Sequence, residues 1–600
     1  MQTISNKYLG IVSDRGERNL PLKRVYSNIC DRDLFLTAYH ELAKKKGAMT
    51  EGSDDETIDE MSIAKIDKII ANLKSGEYRP KPSRRVYIPK RDGAKRSLGI
   101  PCWTDKLIQR VVMMVLESYY EPQFSDHSHG FRPNRGCHTA LEEISMKWKG
   151  TKWFIEGDIK GCFDNINHEY LLKILSDKIL DNRLIKLIRM WLKAGYIENW
   201  KYHTTHSGTP QGGVISPLLA NIYLSELDYK LEQLSEIWHI GKSRRTNSEY
   251  ARLLRKINKA KQKGEIQEIK EARKELNIAK SKGLTWSNHQ DDNYRRLKFV
   301  RYTDDFIVGF VGSKVEAQNI KEEIKIFLKD TIGLTLSDDK TKITNATHQK
   351  ARFLNFEIYT EKSKARPKIN GTIRLDMPYD IFVKWKRKYT KKGKPYHRPY
   401  YLELSDYMII RAYNSEFQGI YQYYIMAQNV AYRMYELKNL VMTSAVKTLS
   451  SKHKTSVSKI FKKYKKTTEL GIKALIVEVI RKGKPPLIAT LGNFHIKWVK
   501  FPSKFFGSIM PNCDEIKGIK AITGKTAIRS DLLTRLNNNT CEICGGKDKI
   551  EVHHIRKMSD VEKHKDGWQK LMSSMRRKTL ITCKECHHKI HTGKYDGSKL

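Results

Sequence analysis

Tyr302-Thr303-Asp304-Asp305 sets two adjacent carboxylates between the apolar, β-prone runs Phe299-Val300 and Phe306-Ile307-Val308-Gly309-Phe310. The pattern predicts a hairpin with the carboxylates at its tip. An acidic tip held on buried strands can hold divalent metal against phosphate oxygens. Asp-Asp also occurs at 54–55, 291–292 and 338–339, but there in polar stretches that read as solvated turns. A second acidic position, Asp158, ends the apolar run Trp153-Phe154-Ile155-Glu156-Gly157, and a turn follows it. In isolation Asp158 is equally a strand-ending turn residue. In-line phosphoryl transfer with two metals needs carboxylates from separate strands around ions about 4 Å apart, a set that Asp158, Asp304 and Asp305 could supply.

A different chemistry is written near the C-terminus. Cys541-Glu542-Ile543-Cys544 and Cys583-Lys584-Glu585-Cys586 are two CxxC pairs, the ligand pattern of a tetrahedral zinc site. His553 and His554 stand between the pairs. His587 and His591 follow, one helical turn apart and so on one face.

The elements that must position these groups make up a large chain. Six hundred residues exceed what one core can organise and suggest about three to five domains. Lys plus Arg number 112 against 67 Asp plus Glu, a net charge of +45 spread along the whole length. The natural partner is a polyanion, with long RNA or DNA ahead of an anionic membrane surface. No stretch approaches the ~18 consecutive apolar residues of a membrane span. Met1 to Leu20 has no apolar core and reads as neither secretory signal nor transit peptide. Of nine cysteines, Cys30, Cys102, Cys137, Cys162 and Cys513 stand singly. That usage predicts a reducing compartment and one metal site rather than a disulfide framework.

Residues 31–78 read as helical, with turns near Gly47 to Asp55 and an amphipathic stretch from Ile63 to Leu73. Arg84 to Pro101 reads as a basic hairpin turning at Arg91-Asp92-Gly93, and 104–121 as a helix. Residues 240–298 are rich in Lys, Arg and Glu and read as a solvated helical insertion, with RNA binding as the rival role. Ala317 to Leu328 reads as an amphipathic helix, Leu336 to Thr341 as a turn, and Ala351 to Ile358 as a strand. A basic, Pro-containing linker is expected over Lys384 to Pro399. Helices are expected over 403–450, loaded with Tyr407, Tyr413, Tyr421, Tyr423, Tyr424, Tyr432 and Tyr435. Most of these rings should pack a bundle, while basic faces with interleaved aromatics also suit structured RNA.

The chain resembles the group II intron-encoded proteins, multifunctional reverse transcriptases and maturases. The resemblance rests on Ser128-His129-Gly130-Phe131-Arg132-Pro133, the Asp158 block, Gly208-Thr209-Pro210-Gln211-Gly212-Gly213-Val214-Ile215-Ser216-Pro217-Leu218-Leu219-Ala220-Asn221-Ile222-Tyr223-Leu224, and the Tyr-Thr-Asp-Asp hairpin, in that order. It runs from about residue 30 to the C-terminus and is closest to the full-length bacterial type that ends in an endonuclease. Ala is commoner than Thr at position 303 in that family.

The resemblance implies a multidomain α+β right-hand reverse transcriptase. Residues 1–78 would be an RNA-contacting N-terminal extension and 79–380 the fingers and palm. Residues 381–489 would be a helical thumb or maturase domain, 490–535 a basic DNA-binding region, and 536–600 a zinc-stapled ββα-metal HNH domain. Asp158, Asp304 and Asp305 would hold two magnesium ions, with the Ile159 carbonyl as a further ligand. Lys90 and Arg96 would grip the incoming deoxynucleoside triphosphate, Gln211 would line the nucleotide, and Phe163 would block a 2′-hydroxyl. His554 would be the general base of the nuclease. His553, His587 and His591 would ligate its divalent ion, with magnesium expected. Zinc would sit on Cys541, Cys544, Cys583 and Cys586. Lys578 stands where the HNH motif usually has Asn. The implied partners are intron RNA, target DNA and deoxynucleotides, with no membrane. The implied setting is the bacterial cytoplasm, as a ribonucleoprotein acting on chromosome or plasmid. A stand-alone reverse transcriptase of another lineage is the alternative, and the 403–450 helices with the HNH tail argue against it.

Overall fold

The computed structural model describes residues 4–45, 47–89, 93, 95–205, 207–208, 212–282, 284–288, 291–363, 369–481, 484–502, 531–555 and 578–594. Lys90, Gln211, Cys513 and most of the expected hairpin tip at 91–93 therefore lie outside the described residues.

Near the N-terminus, α1 (Arg32–Ala43) starts where the Asp31 carboxylate accepts the Leu34 N–H, and α2 (Ile63–Ser75) where the Ser62 hydroxyl accepts the Lys65 N–H. Such caps satisfy N–H groups that have no intrahelical partner. A basic hairpin follows, β1 (Ser83–Pro89) with β2 (Lys95–Ile100). Next comes α3 (Trp103–Tyr120), buried along nearly its whole length. Its buried polar residues are partnered: Arg110 pairs with Glu41 at 2.6 Å, and Asp105 accepts the Lys81 N–H at 3.1 Å.

The central sheet is antiparallel, in the order β6-β3-β5-β4, built from β3 (Trp153–Asp158), β4 (Arg296–Tyr302), β5 (Asp305–Val311) and β6 (Lys342–Asn345). Alternate residues feed two cores, as the two-residue strand period demands. Ile155, Phe299, Phe306 and Val308 join one core, which also holds α3. Phe154, Val300 and Ile307 join the other, which holds the C-terminal helices. Helix α4 (Ser216–Ile237) packs on β4. The charged insertion is a helical pair, α5 (Ser248–Lys263) and α6 (Ile266–Ser281), closed on a small core of Leu253, Ile257, Ala272 and Leu276. Helix α7 (Lys314–Asp330) starts with a Ser313–Glu316 capping box.

Two expectations are corrected. The single strand over Ala351 to Ile358 is instead a hairpin of β7 (Ala351–Phe353) and β8 (Phe356–Thr360). Leu354 and Asn355, at φ +49° and +58°, make its two-residue loop. Two positive φ values give the turn whose twist matches that of the flanking strands. The linker over Lys384 to Pro399 begins inside α8 (Tyr379–Tyr389) and continues through a short hairpin, Thr390–Lys391 with Lys394–Pro395. Phe382 and Tyr389 are the helix's buried residues, so its cluster of basic residues is the outer side of an amphipathic helix.

The tyrosine-rich part is α9 (Asp406–Tyr423) and α10 (Val430–Lys452). Tyr413, Tyr421 and Tyr424 are buried, Tyr407 and Tyr423 are half-buried, and Tyr432 and Tyr435 are exposed. A hairpin of Lys473–Arg481 and Lys484–Leu491 packs on α9. At the C-terminus, β9 (Ile550–His554) pairs antiparallel with β10 (Thr579–Cys583), and α11 (Lys584–His591) completes a ββα unit. This unit is not detached. Val552, Ile581 and Ile590 share one hydrophobic cluster with Phe35, Tyr39, Ile58 and Met61 of the N-terminal segment. Among the described residues, no helix is long and apolar enough to cross a membrane.

Candidate active sites

The sheet register places Asp158, the last residue of β3, directly opposite Asp305, the first of β5. Tyr302 pairs with Asp305 across the hairpin, leaving Thr303 and Asp304 as its turn, with Thr303 at φ +58°. That turn is clamped from below by Arg301, which is fully buried. Its guanidinium donates twice to Asp228 of α4, at 2.7 and 2.6 Å, and Asp228 is equally buried. It also donates to the Thr303 backbone carbonyl at 2.9 Å, the Ser128 hydroxyl at 2.8 Å and the Asn221 side-chain Oδ1 at 3.2 Å. Gly130 lies against the turn so closely that a Cβ there would sit 2.6 Å from the Thr303 nitrogen. The Ser128–Pro133 and Ser216–Asn221 motifs thus seat the carboxylate turn.

Burial, then the charges of Asp304 and Asp158, push the Asp305 carboxyl up to about 7. Such a set calls for cations. At present Lys340 supplies one, its ammonium donating to Asp158 Oδ2 at 3.1 Å. The three carboxylates do not gather within 4.8 Å of one another, as the ligand atoms of the two C-terminal clusters do. Ile159, the next residue, pairs with Leu336 as an isolated bridge.

Phe163 lies half-buried on the short helix Cys162–Asn165, which follows the left-handed Gly161. The 207–208 loop presses on it: a Cβ on Gly208 would sit 2.6 Å from the Phe163 carbonyl oxygen. Arg96 is exposed on β2, opposite Ile88.

In the C-terminal unit, Cys541, Cys544, Cys583 and Cys586 bring their sulfurs within 4.8 Å of one another. Cys544 and Cys583 sulfurs are 3.7 Å apart, close to the roughly 3.8 Å expected of thiolates on one tetrahedral zinc. Backbone N–H groups of Cys544, Cys586 and Gly546 point at the sulfurs from 3.4–3.5 Å. The Gly546 N–H lowers the Cys544 thiol, while burial and then neighbouring sulfurs raise Cys586. The donors fit zinc.

Beside it, His553, His587 and His591 converge, all three together. The His587 Nε2 lies 3.1 Å from His553 Nδ1 and 3.1 Å from His591 Nε2. Glu551 accepts from His587 Nδ1 at 3.0 Å, which fixes the tautomer and leaves Nε2 to face the cluster. Three imidazoles suit a transition ion better than the magnesium expected from sequence. His554 is buried, and burial is the main force pushing it and His553 down to about 4, Asp59 opposing. Lys578 gives its backbone carbonyl to the Ile555 N–H at 3.1 Å and exposes its side chain, so it does not replace the usual Asn amide.

Sequence reasoning missed Arg301, Asp228, Lys340, Glu551, and two residues from the opposite end of the chain, Asp59 and Tyr39. Arg301 left only a weak signal, a third basic residue in the strand Arg296–Tyr302. Asp59 and Tyr39 left none.

A profile of the reverse transcriptase (RNA-dependent DNA polymerase) family matches residues 88–244. One of type II intron maturases matches 377–495, and one of AI2M/AI1M-like HNH endonucleases matches 541–587. The chain is 40% identical to the group II intron-encoded protein LtrA of Lactococcus lactis subsp. cremoris, over 97% of this chain and 98% of that one. It is 37% identical to an uncharacterized 91 kDa protein in the cob intron of Schizosaccharomyces pombe, over 98% of this chain and 71% of that one. A putative COX1/OXI3 intron 1 protein of Saccharomyces cerevisiae is 33% identical, over 94% of this chain and 68% of its own length.

Proposed function

The chain belongs to the group II intron-encoded proteins, and from that premise we propose which residues carry each of its activities. It is a reverse transcriptase and an HNH endonuclease with a maturase domain, the equipment of intron splicing and retrohoming.

Asp158, Asp304 and Asp305 are the ion-holding carboxylates of DNA synthesis, with the Ile159 carbonyl beside them. Two magnesium ions bound there would neutralise the triphosphate and ease deprotonation of the primer 3′-hydroxyl. The chain's own work is positional. Arg301 fixes the turn that carries Asp304, and β3–β5 pairing fixes Asp158 against Asp305. Arg96, with Lys90 at the same hairpin, meets the triphosphate; Gln211 lines the nucleotide, and the Phe163 ring excludes a 2′-hydroxyl. The observation that carries this reading is the Asp158–Asp305 register with its Arg301-clamped turn. Asp304→Ala and Asp305→Ala should each remove primer extension on an RNA template while leaving intron RNA affinity in place. Substantial extension by either variant would overturn the assignment.

In the C-terminal domain, residues 536–600, zinc on the four cysteines is structural. His553, His587 and His591 hold a divalent ion, and His554 is the general base for hydrolysis of a target DNA strand. A histidine ring is the side chain suited to take a proton from the attacking water. Residues 1–78 and the basic faces of 381–489 bind intron RNA, with exposed Tyr432 and Tyr435 as stacking surfaces. Residues 490–535 meet target DNA. The working form is a ribonucleoprotein in the bacterial cytoplasm.

A further inference from the structure

The nuclease site is closed by a segment from the far end of the chain. Residues 58–61 lie along β9: Met61 and Val552 form an antiparallel bridge, the Val552 N–H donates to the Met61 carbonyl at 3.0 Å, and the Glu60 N–H donates to the Val552 carbonyl at 3.2 Å. Ile58 and Met61, both fully buried, anchor the segment. Between them Asp59 turns its carboxylate into the histidine cluster. Its Oδ2 is 3.0 Å from His591 Nε2, and its Oδ1 is 3.5 Å from His587 Nε2 and 3.7 Å from His553 Nδ1. Asp59 Oδ1 also accepts the His554 N–H at 2.7 Å. One ligand atom from each of Asp59, His553, His587 and His591 lies within 4.8 Å of the others. Donors on one tetrahedral ion stand roughly 3.3 Å apart, so this is a complete four-ligand set. The general base is held as well: His554 Nε2 is 2.8 Å from the hydroxyl of the fully buried Tyr39 on α1.

We propose that Asp59 is the fourth ligand of the nuclease ion and that, with Tyr39, it keeps the nuclease latent until residues 58–61 withdraw. The proposal rests on the HNH reading above. Catalytic ion sites keep one position open for water or substrate, whereas sites with four protein ligands are structural. Here the fourth position is filled, and His554 faces a phenol instead of water. On a tetrahedral ion a DNA phosphate can enter only by displacing Asp59, and on a six-coordinate ion Asp59 still occupies one of the positions the phosphate would use. Both residues sit on the N-terminal segment, so binding of a large ligand there would open the site without touching the nuclease itself.

The test uses the full-length protein free of RNA. Asp59→Ala, Asp59→Asn and Tyr39→Phe are compared with the wild type for nicking of duplex DNA in Mg2+ and in Ni2+, and one zinc per chain marks a folded C-terminal unit. The proposal expects both Asp59 variants to nick faster by about tenfold or more, the scale of an ordinary coupling between sites, and Tyr39→Phe to nick faster than the wild type. Unchanged or reduced nicking overturns it. Hydrogen exchange gives a readout independent of cleavage. Ni2+ should slow exchange at residues 58–61 and 552–554 together in the wild type, and only at 552–554 in Asp59→Ala. Ni2+ protection confined to 552–554 in the wild type overturns the ligand assignment. Adding His554→Ala to Asp59→Ala separates the two readings: nicking that survives removal of His554 refutes the HNH assignment, while the Ni2+ exchange pattern still decides the role of Asp59.

Discussion

Replacing Arg301 separates stability from positioning in one experiment. Arg301 and Asp228 are both fully buried, joined by two hydrogen bonds of 2.6 and 2.7 Å. Arg301→Met removes one charge and strands the other, which costs about 3–5 kcal/mol when a buried pair is broken from one side. That is a large share of a domain stability of roughly 5–15 kcal/mol. Arg301→Met with Asp228→Leu removes both charges, and replacing a whole buried pair by apolar groups is about neutral or stabilising by up to about 4 kcal/mol. The double variant therefore recovers much of its denaturant midpoint, less the cost of the acceptors that lose Arg301 as donor. It does not recover the hydrogen bonds to the Thr303 carbonyl and the Ser128 hydroxyl. A carboxylate turn displaced by about 1 Å should slow nucleotide addition by about a hundredfold. The assay is single-nucleotide primer extension on an RNA template beside urea unfolding, for both variants. A double variant that is stable and extends at the wild-type rate would refute the positioning role of Arg301.

Three further outcomes follow from the same geometry. Phe163→Val should raise the ribonucleotide-to-deoxynucleotide ratio of kcat/KM by about tenfold or more, since a steric block is removed for one substrate alone; an equal response of both substrates would make Phe163 a packing residue. His554→Ala should keep one zinc per chain and lose DNA cleavage, whereas Cys544→Ser should release zinc and unfold the C-terminal unit first, by metal analysis and nicking assay. Glu551→Gln should weaken Ni2+ binding about 10- to 100-fold, because the partner that orients His587 becomes a poorer acceptor, while zinc on the four cysteines stays.

The parts legible in the sequence are those whose chemistry is local. Asp304 and Asp305 sit in a hairpin announced by the runs on either side, and the CxxC pairs and His587–His591 carry their ligand spacing in the chain itself. The rest depends on contacts that cross it. Arg301 looked like one more charge near a turn, since its partner Asp228 lies 73 residues away. Asp59 and His554 are 495 residues apart, and Tyr39 and His554 515 apart. No local pattern encodes such a meeting. The basic residues around Lys384 to Lys388 mask the helical period that buries Phe382 and Tyr389. The hairpin at Leu354–Asn355 was hidden because Leu rarely takes a positive φ. Of the seven tyrosines in 403–450, Tyr413, Tyr421 and Tyr424 pack the core, as bulky rings in a bundle usually do, and Tyr432 and Tyr435 stay free of it.

The most direct test of the whole account is one reaction read three ways. Ribonucleoprotein assembled with Asp305→Ala is given its intron RNA and a DNA target, and spliced RNA, cleaved second strand and complementary DNA are measured together. The account predicts that complementary DNA disappears while splicing and cleavage persist, because the carboxylates serve synthesis alone. Complementary DNA made at the wild-type level, or splicing lost along with it, would contradict the account.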